Sequence, residues 1–315
     1  MTQILPAVFV IATRNRAPIL RRTLESLALQ SAQPSEIVIV DASSDALTRN
    51  VCVDEAVPGL KAKITWQSAE IIGAAAQRNQ GVQFSSQPIV GFIDDDIVFE
   101  PDCVRRLWTA LESDSYLGGV NAMIVNQRYV TPGNVSRIIF RLMAGHAEQS
   151  YAGRVLGPAV NLLPEDREEL GEIVSVEWLN TTCTLYRREA IPDPAFPPFE
   201  GYSMLEDLSL SLAVGKTWKL ANARTARIFH DSQPGSHKSD AGALARMHIL
   251  NRHYVMTRIL GRQRARDYAK LVIWICFSHC AALKTASGRR TFPRRLAGEL
   301  DALRTIMFHR RSLAQ

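Results

Sequence analysis

The chain has 315 residues, 46% of them hydrophobic and 22% charged, which is an ordinary globular composition with length for one large core or two modest domains. It contains no apolar run of about 18 residues, which excludes a spanning helix. The five scattered cysteines form no CxxC pair, so the sequence gives no support for structural zinc and predicts reduced thiols in a cytosolic compartment.

The net charge of +6 is unevenly distributed along the chain. Residues 246–315 hold 15 Lys and Arg against 3 Asp and Glu, so a basic C-terminal part follows a slightly acidic body. Such a part could contact nucleic acid, an anionic membrane surface or an acidic partner.

The first 95 residues alternate between predicted strands and predicted helices. Four apolar segments are predicted to be buried strands: Ala7–Thr13, Glu36–Val40, Ile64–Gln67 and Ile89–Ile93. Helices are predicted from Pro18 (with an apolar face of Leu20, Leu24, Leu27 and Leu29, the unit ending at Pro34), up to about Glu55, and over Gly73–Phe84. The N-terminal apolar segment has no basic region or cleavage site, so it is predicted to be a strand and not a signal peptide. The alternation predicts a mostly parallel sheet with right-handed crossovers.

The pattern after residue 100 is less regular. Helices are predicted over Val104–Glu112 and Leu205–Val214, and helical spacing recurs within Arg128–Tyr151. Strands are predicted over Gly118–Val125, Val174–Tyr186, Trp218–Ala221 and Ala226–Phe229. Gly157–Gly171 and the proline-rich Pro192–Gly201 are predicted loops, and most of the chain after His230 is predicted to be helical.

Three consecutive carboxylates, Asp94, Asp95 and Asp96, directly follow the fourth predicted strand. Like charges this close repel by a few kcal/mol at an effective dielectric of about 20, so the turn needs a cation or full solvation. Ligands of open α/β sheets bind beyond the carboxyl ends of the strands, and oxygen ligands suit Mg²⁺ or Mn²⁺. The triplet therefore predicts a divalent metal with a phosphate-bearing ligand, and a solvated turn that caps the next helix is the alternative.

Polar segments also accompany the earlier strands: Thr13-Arg14-Asn15-Arg16, Asp41-Ala42-Ser43 and Ala76-Gln77-Arg78-Asn79-Gln80-Gly81. Together with the acidic triplet, their order and spacing resemble the family 2 glycosyltransferases over about residues 5–260, in which an ARNxG-like segment precedes a DxD motif. Here a glutamine stands between Ala76 and Arg78. The resemblance implies an α/β, GT-A-like fold with a mostly parallel central sheet. It implies a catalytic domain over residues 1–240 (nucleotide half 1–100, acceptor half 101–240) and a basic helical appendage over residues 241–315.

The resemblance also implies roles for individual residues. Those implied to bind a nucleoside-diphosphate sugar are Thr13, Arg14, Asn15, Asp41, Ser43, Arg78, Asp94 and Asp95. Asp41 can accept hydrogen bonds from a base or ribose, and Arg78 can pair with phosphate or with the triplet; a turn residue and a surface charge are the alternatives. Asp96, Asp94 and His230 are the implied ligands of Mn²⁺ or Mg²⁺, and a structural histidine is the alternative.

The Glu206-Asp207 pair matches the ED motif of the same family. Asp207 is the implied general base and Glu206 its orienting neighbour, because inverting glycosyl transfer needs a base opposite the leaving group. Charge compensation at a helix N-terminus is the alternative. The loop Glu200-Gly201-Tyr202 adjoins this pair, and a polar loop with His237 and Lys238 could close over the diphosphate. Asn180, Thr181 and Thr182 stand where the family has glycines and small residues, so the donor sugar stays open.

The C-terminal region holds a thirteen-residue apolar stretch between Lys270 and Lys284, followed by Arg289, Arg290, Arg294 and Arg295. It fits a helix that lies on anionic lipid, where lipid-linked acceptors are found; a core helix or an oligomer contact is the alternative. Nucleic-acid binding is not predicted, since no recognised module is present. The predicted location is the cytoplasm, including the inner face of the membrane.

The sequence thus predicts an inverting, metal-dependent glycosyltransferase that uses a nucleotide sugar and a glycan or lipid-linked acceptor. A nucleotidyltransferase that makes sugar nucleotides is a rival, although the loop after the first strand, TRNRAP, lacks the glycines such enzymes use to hold phosphate. A non-catalytic sugar-nucleotide-binding or membrane-scaffold protein is the second rival.

Overall fold

The structure is a computed structural model that describes residues 2–199, 204–233 and 240–312. Its strands are β1 (Gln3–Thr13), β2 (Ala32–Asp41), β3 (Lys63–Ser68), β4 (Ile89–Asp94), β5 (Ile97–Phe99), β6 (Leu117–Ile124), β7 (Val155–Leu156), β8 (Val160–Asn161), β9 (Ile173–Val176), β10 (Cys183–Arg187) and β11 (Lys219–His230). Its α-helices are α1 (Ala17–Ala28), α2 (Leu47–Val53), α3 (Ala74–Val82), α4 (Cys103–Glu112), α5 (Asn134–Ala144), α6 (Glu206–Val214), α7 (Ala241–Tyr254), α8 (Ala265–Ala282) and α9 (Ala286–Ser312).

The central sheet has the strand order β3-β2-β1-β4-β10-β6-β11. The first four strands are mutually parallel, β10 is antiparallel to both its neighbours, and β6 and β11 are parallel to each other. Six of these seven strands therefore run in one direction, which confirms the predicted α/β fold with a mostly parallel sheet. The short strands β9 and β5 pair antiparallel with β11.

Helices cover both faces of this sheet because alternate side chains of each strand point to opposite sides. Phe9 and Ile11 of β1 belong to a core cluster with residues of α1, α2 and α4. Val8 and Val10 of the same strand belong to a second cluster with residues of α3 and α6. The continuous apolar runs in the sequence thus reflect strands that are buried on both faces.

Several predicted boundaries were wrong. Leu29 follows the last residue of α1 and is 86% exposed, so it is not part of that helix's apolar face. Pro34 lies within β2, where pairing with β3 begins only at Glu36, so its missing N–H breaks no bond to β3. The predicted strand Val174–Tyr186 is two strands, β9 and β10, which pair with different partners.

The two predicted strands Trp218–Ala221 and Ala226–Phe229 form the single strand β11. Its register against β6 shifts between Ala223 and Arg227, so the polar residues there form an irregularity within an extended segment. The predicted loop Gly157–Gly171 contains β8, which forms a short hairpin with β7.

The C-terminal helices form a layer of their own beside the sheet domain. Helix α7 continues into a π-helical turn at Val255–Ile259 and packs against α9, and α8 packs against α5 and α9. Among the described residues, no helix combines the length and apolar character needed to cross a bilayer.

Candidate active site

The acidic triplet forms the junction between β4 and β5. Asp94 is the last residue of β4, and Asp95 and Asp96 form the turn that follows it. Asp95 is 4% exposed and Asp96 is 5% exposed, and the Asp94 side chain is 22% exposed, so the turn is not a fully solvated surface turn. Buried carboxylates this close together require compensating positive charge or hydrogen bonds.

Two residues at and just after the end of β1 supply part of this compensation to Asp95. The Thr13 hydroxyl donates to Asp95 Oδ2 at 2.6 Å, and Arg16 Nη1 lies 3.1 Å from Asp95 Oδ1. Burial raises the pKa of Asp95 to about 6, against the opposing effects of Thr13 and Arg16. Both Asp95 oxygens thus face the β1 loop, and Asp95 has no place in the group of ligand atoms described next.

Asp94, Asp96 and His230 bring one potential ligand atom each within 4.8 Å of one another. His230 is the last residue of β11, and its Nε2 lies 3.1 Å from Asp96 Oδ1. Two ligands bound at about 2.1 Å to one ion are about 3 Å apart at a right angle, so these atoms need only small shifts to share a cation. Burial would raise the Asp96 pKa, but His230 and the backbone N–H of Gln233 bring that pKa below its ordinary value.

The second ring nitrogen of His230 is also held. Nδ1 lies 3.1 Å from Nε2 of Gln127, in the segment after β6, and Asn126 bonds the His230 backbone. The Gln127 amide nitrogen can only donate, so Nδ1 accepts in this arrangement and Nε2 carries the ring proton toward Asp96. Turning the Gln127 amide so that its oxygen accepts from Nδ1–H frees Nε2 for a cation, which is how metal-binding histidines are held. The two carboxylates and one imidazole therefore fit Mn²⁺, and they fit Mg²⁺ less well because imidazole is a poor ligand for that ion.

A buried arginine connects this group to the start of α6. Arg78 Nη2 donates to Asp94 Oδ1 at 2.6 Å, and Arg78 Nη1 donates to Glu206 Oε1 at 3.2 Å. The Arg78 side chain is only 6% exposed. Burial alone would lower the Arg78 pKa, but Asp94 and Glu206 raise it above its ordinary value. Arg78 is thus the common counter-ion of two carboxylates 112 positions apart in the chain.

Asp207 follows Glu206 in the first turn of α6 and accepts a 2.7 Å hydrogen bond from the Leu208 backbone N–H. Burial raises the pKa values of both acids against the opposing effect of Arg78. The charges of Asp207 and Asp94 raise the Glu206 pKa further, and the charge of Asp94 raises the Asp207 pKa further. Leu205, just before the helix, has a left-handed backbone (φ 70°), a conformation that costs a non-glycine residue about 1 kcal/mol or more. Because Leu205 is the residue directly before α6, its backbone conformation sets where the helix begins and so where the Glu206 and Asp207 side chains lie.

Four residues of the segment Gln77–Gly81 in α3 each make a contact that depends on the residue type. Gln77 Nε2 donates to the carbonyls of Thr13 and Val40, which ties the ends of β1 and β2 together. Arg78 holds the carboxylates, and Asn79 exchanges two 2.9 Å hydrogen bonds with the Phe196 backbone. A Cβ on Gly81 would lie 2.4 Å from Val10 Cγ1, so the glycine allows α3 to pack closely on the sheet.

Asp41 lies at the end of β2, at the same edge of the sheet. One oxygen accepts from the Ser43 N–H at 2.9 Å and from the Ser43 hydroxyl, and the other accepts from Trp66 Nε1 at 3.1 Å. Asn15, in a left-handed conformation (φ 55°), links the two strand ends through Ser43 and Ser44. Among the described residues, Arg14 makes no side-chain hydrogen bond and is exposed.

The structure therefore brings the predicted residues to one edge of the sheet, in three groups. They are the ends of β1 and β2, the metal-type cluster (Asp94, Asp96 and His230) and the Glu206-Asp207 pair. Sequence reasoning missed Arg16, Gln127, Trp66 and Leu205. Arg16 was visible as a cation in a strand-end loop, whereas Gln127 and Trp66 carry no local signal. The loop 200–202 and the residues His237 and Lys238 lie outside the described residues.

Comparison with known proteins shows which sequences and folds the chain is similar to. The sequence model of the family described as Glycosyl transferase family 2 matches residues 8–191. Validoxylamine A glucosyltransferase of Streptomyces hygroscopicus subsp. limoneus is 34% identical over 103 residues, 32% of this chain and 22% of that protein. The uncharacterized glycosyltransferase YwdF of Bacillus subtilis (strain 168) is 28% identical over 141 residues, 44% of this chain and 51% of that protein. The matches span from about a fifth to about half of the length of these relatives.

One solved structure shares the fold over most of the chain. It is a mannosyltransferase from Pyrobaculum calidifontis in complex with GDP-Man and Mn²⁺, with a TM-score of 0.54 at 14% identity over 95% of this chain and 87% of that one. At this identity the similarity concerns the fold alone.

Proposed function

The chain belongs to glycosyl transferase family 2, and on that premise we propose that it moves a sugar from a nucleoside-diphosphate sugar to a hydroxyl of a glycan or lipid-linked acceptor, with inversion. One observation carries the proposal: Arg78 joins Asp94 of the metal-type cluster to Glu206, the neighbour of Asp207. Groups suited to a diphosphate and a group suited to proton abstraction thus share one edge of the sheet.

The ends of β1 and β2 are the proposed nucleotide site. Asp41 is held by Ser43 and Trp66 with its carboxylate at the strand end. The oxygen that accepts twice from Ser43 is fully used, whereas the oxygen that accepts from Trp66 keeps capacity for a donor from a base or a ribose. Thr13 ends β1, and Arg14 and Asn15 follow it in the adjoining loop, where the exposed Arg14 guanidinium is available to a phosphate. The position agrees with the rule that open α/β sheets bind ligands beyond the carboxyl ends of their strands.

Asp94, Asp96 and His230 would hold a divalent cation, and Mn²⁺ suits their imidazole and carboxylate atoms. Bound there, the cation would neutralise the diphosphate and so favour departure of the nucleotide. Asp95, held by Thr13 and Arg16, keeps the turn in place instead of adding a ligand.

Asp207 is the proposed general base. As the acceptor oxygen attacks the anomeric carbon and the bond from that carbon to the diphosphate breaks, the Asp207 carboxylate takes the hydroxyl proton. Burial raises the Asp207 pKa, which makes the carboxylate a better proton acceptor than an exposed aspartate. Glu206 is held by Arg78 and orients this end of α6.

Two experiments test the proposal. A thermal-shift screen of nucleoside diphosphates with Mn²⁺ or Mg²⁺ should raise the melting temperature for one base in a metal-dependent manner, because a ligand of the folded state stabilises it. Asp207→Asn should then lower transfer by at least about 100-fold, the usual minimum for loss of a general base, with nucleotide binding retained. Full activity of Asp207→Asn would remove Asp207 as the base.

The rivals differ in their products. A nucleotidyltransferase would release pyrophosphate from a nucleoside triphosphate and a sugar phosphate, and we expect none. Slow donor hydrolysis without acceptor would argue against a non-catalytic protein, because water can take the place of the acceptor hydroxyl.

A further inference from the structure

Helices α5 and α8 expose apolar side chains that the proposed reaction does not use. On α5, Val135, Ile138 and Leu142 are 69%, 68% and 46% exposed and recur at intervals of three and four residues, which places them on one side of the helix. The opposite side carries Phe140 and Met143, which are buried. The helix is therefore apolar on both its inner and its outer side, which is unusual for a helix that faces only water.

Helix α8 shows the same arrangement. Leu271 and Ile275 are buried, whereas Val272 and Leu283 are 54% and 41% exposed. Cys276 and Cys280 are exposed between them on the same side, and no charged side chain lies among the exposed positions from Ala269 to Leu283. The outer side of α8 thus presents an uncharged stripe about four turns long.

The helices that carry the two stripes pack against each other through their inner sides. Phe140 and Trp274 have ring centroids 6.4 Å apart, and Lys270 Nζ donates to the Met143 carbonyl at 2.8 Å. We call the two stripes together the α5–α8 face, which consists of Val135, Ile138, Leu142, Val272, Cys276, Cys280 and Leu283.

The exposed charged residues on α5 and directly after α8 are basic. Arg137 and Arg141 are exposed on α5 beside its stripe, and Lys284, Arg289 and Arg290 are exposed directly after α8. The acidic groups nearest in sequence are engaged. Glu148, after α5, pairs with His146 and Arg154. Asp267 bonds the Arg264 backbone N–H, and Glu299 is 3% exposed beside His279 and Arg295. An apolar surface with a cationic border is the pattern of structures that rest in the interface of an anionic bilayer.

We infer that the α5–α8 face docks the protein onto an anionic lipid surface, with the apolar stripes at the acyl boundary and the basic residues among the headgroups. A second copy of the chain is disfavoured as the occupant because it would place the same arginines against one another. The inference concerns where the protein sits, so it holds or fails independently of the proposed reaction.

Vesicle co-sedimentation of the full chain tests this surface. Binding is expected to vesicles that contain phosphatidylglycerol and to be weak with phosphatidylcholine alone, and it should fall with added salt. Ile138→Gln with Leu142→Gln should abolish most of the binding. Arg137→Gln with Arg141→Gln should weaken it about 25-fold, since each basic residue near an anionic surface contributes about 1 kcal/mol, or about fivefold.

Matched controls use exposed residues elsewhere on the fold. Leu47→Gln with Val53→Gln removes two apolar side chains of α2 that are 58% and 55% exposed, and Arg105→Gln removes a basic side chain of α4 that is 52% exposed. These controls should bind like the wild type. All variants should keep the wild-type circular dichroism and melting temperature, because every changed side chain is exposed.

A second measurement locates the contact. Cys276 and Cys280 are exposed, whereas Cys52, Cys103 and Cys183 are buried, so a thiol-reactive environment-sensitive fluorophore should label α8 alone. Its emission should shift to shorter wavelength with anionic vesicles. Equal binding by the Ile138/Leu142 variant, an unshifted emission, or a dimer in sedimentation velocity that this variant dissolves would each overturn the inference, the last by assigning the face to a second copy.

Discussion

Replacement of Arg78 by methionine tests the electrostatic centre of the site. The side chain is 6% exposed and is the shared counter-ion of Asp94 and Glu206 at 2.6 Å and 3.2 Å. Removing one partner of a buried ion pair typically costs about 3–5 kcal/mol because the remaining charge is left uncompensated. Two carboxylates lose their partner here, so Arg78→Met should lower the free energy of unfolding by at least that amount near neutral pH.

The loss should depend on pH in a defined direction. Burial already raises the pKa values of Glu206 and Asp207, and loss of Arg78 should raise them further. An acid whose folded-state pKa is raised holds its proton more tightly in the folded state, so the penalty is full above the folded pKa and shrinks as the pH falls toward the unfolded value of about 4. The difference between Arg78→Met and wild type should therefore be larger near pH 8 than near pH 5.

Urea unfolding followed by circular dichroism at the two pH values measures this effect. Adding Glu206→Gln to Arg78→Met should recover part of the stability, since it removes one of the orphaned charges. Arg105→Met is the matched control, because it breaks an exposed pair with Asp102 and should leave the unfolding free energy nearly unchanged. A loss below 1 kcal/mol for Arg78→Met, or one that is equal at both pH values, would refute the electrostatic argument.

Three further changes test the site and its support. Gly81→Ala should cost about 1–3 kcal/mol of unfolding free energy, because the new Cβ would meet Val10 Cγ1 at 2.4 Å, and an unchanged urea midpoint would contradict the packing argument. His230→Ala should weaken Mn²⁺ binding, measured by calorimetry, because it removes a proposed ligand. Its effect should exceed that of Gln127→Leu, and a Mn²⁺ affinity equal to that of the wild type would remove His230 from the ligand set. Gln127→Leu should weaken it about 10–100-fold, as loss of a group that orients a metal-binding histidine usually does, and an unchanged affinity would show that Gln127 does not orient the ring.

Features that depend on neighbouring positions were predictable from the sequence. Apolar β-branched runs fixed the parallel strands of the first 95 residues, and polar residues after each run indicated the edge that holds the site. The predictions failed where the pairing partner of a strand decides its extent. The predicted strand Val174–Tyr186 is two strands, because its two ends pair with different neighbours. The two strands predicted within Trp218–Phe229 are one strand, because a register shift against β6 accommodates the polar residues between them.

The residue types of the site were available in the sequence, but their connections were not. The order of acidic, basic and imidazole residues was enough for a resemblance to glycosyltransferases, because each polar group follows a buried strand or starts a helix. Only the folded chain places Arg78 between Asp94 and Glu206, and Gln127 behind His230. Hydrogen bonds act over about 3 Å between atoms that lie far apart in the chain, and no local pattern encodes that distance.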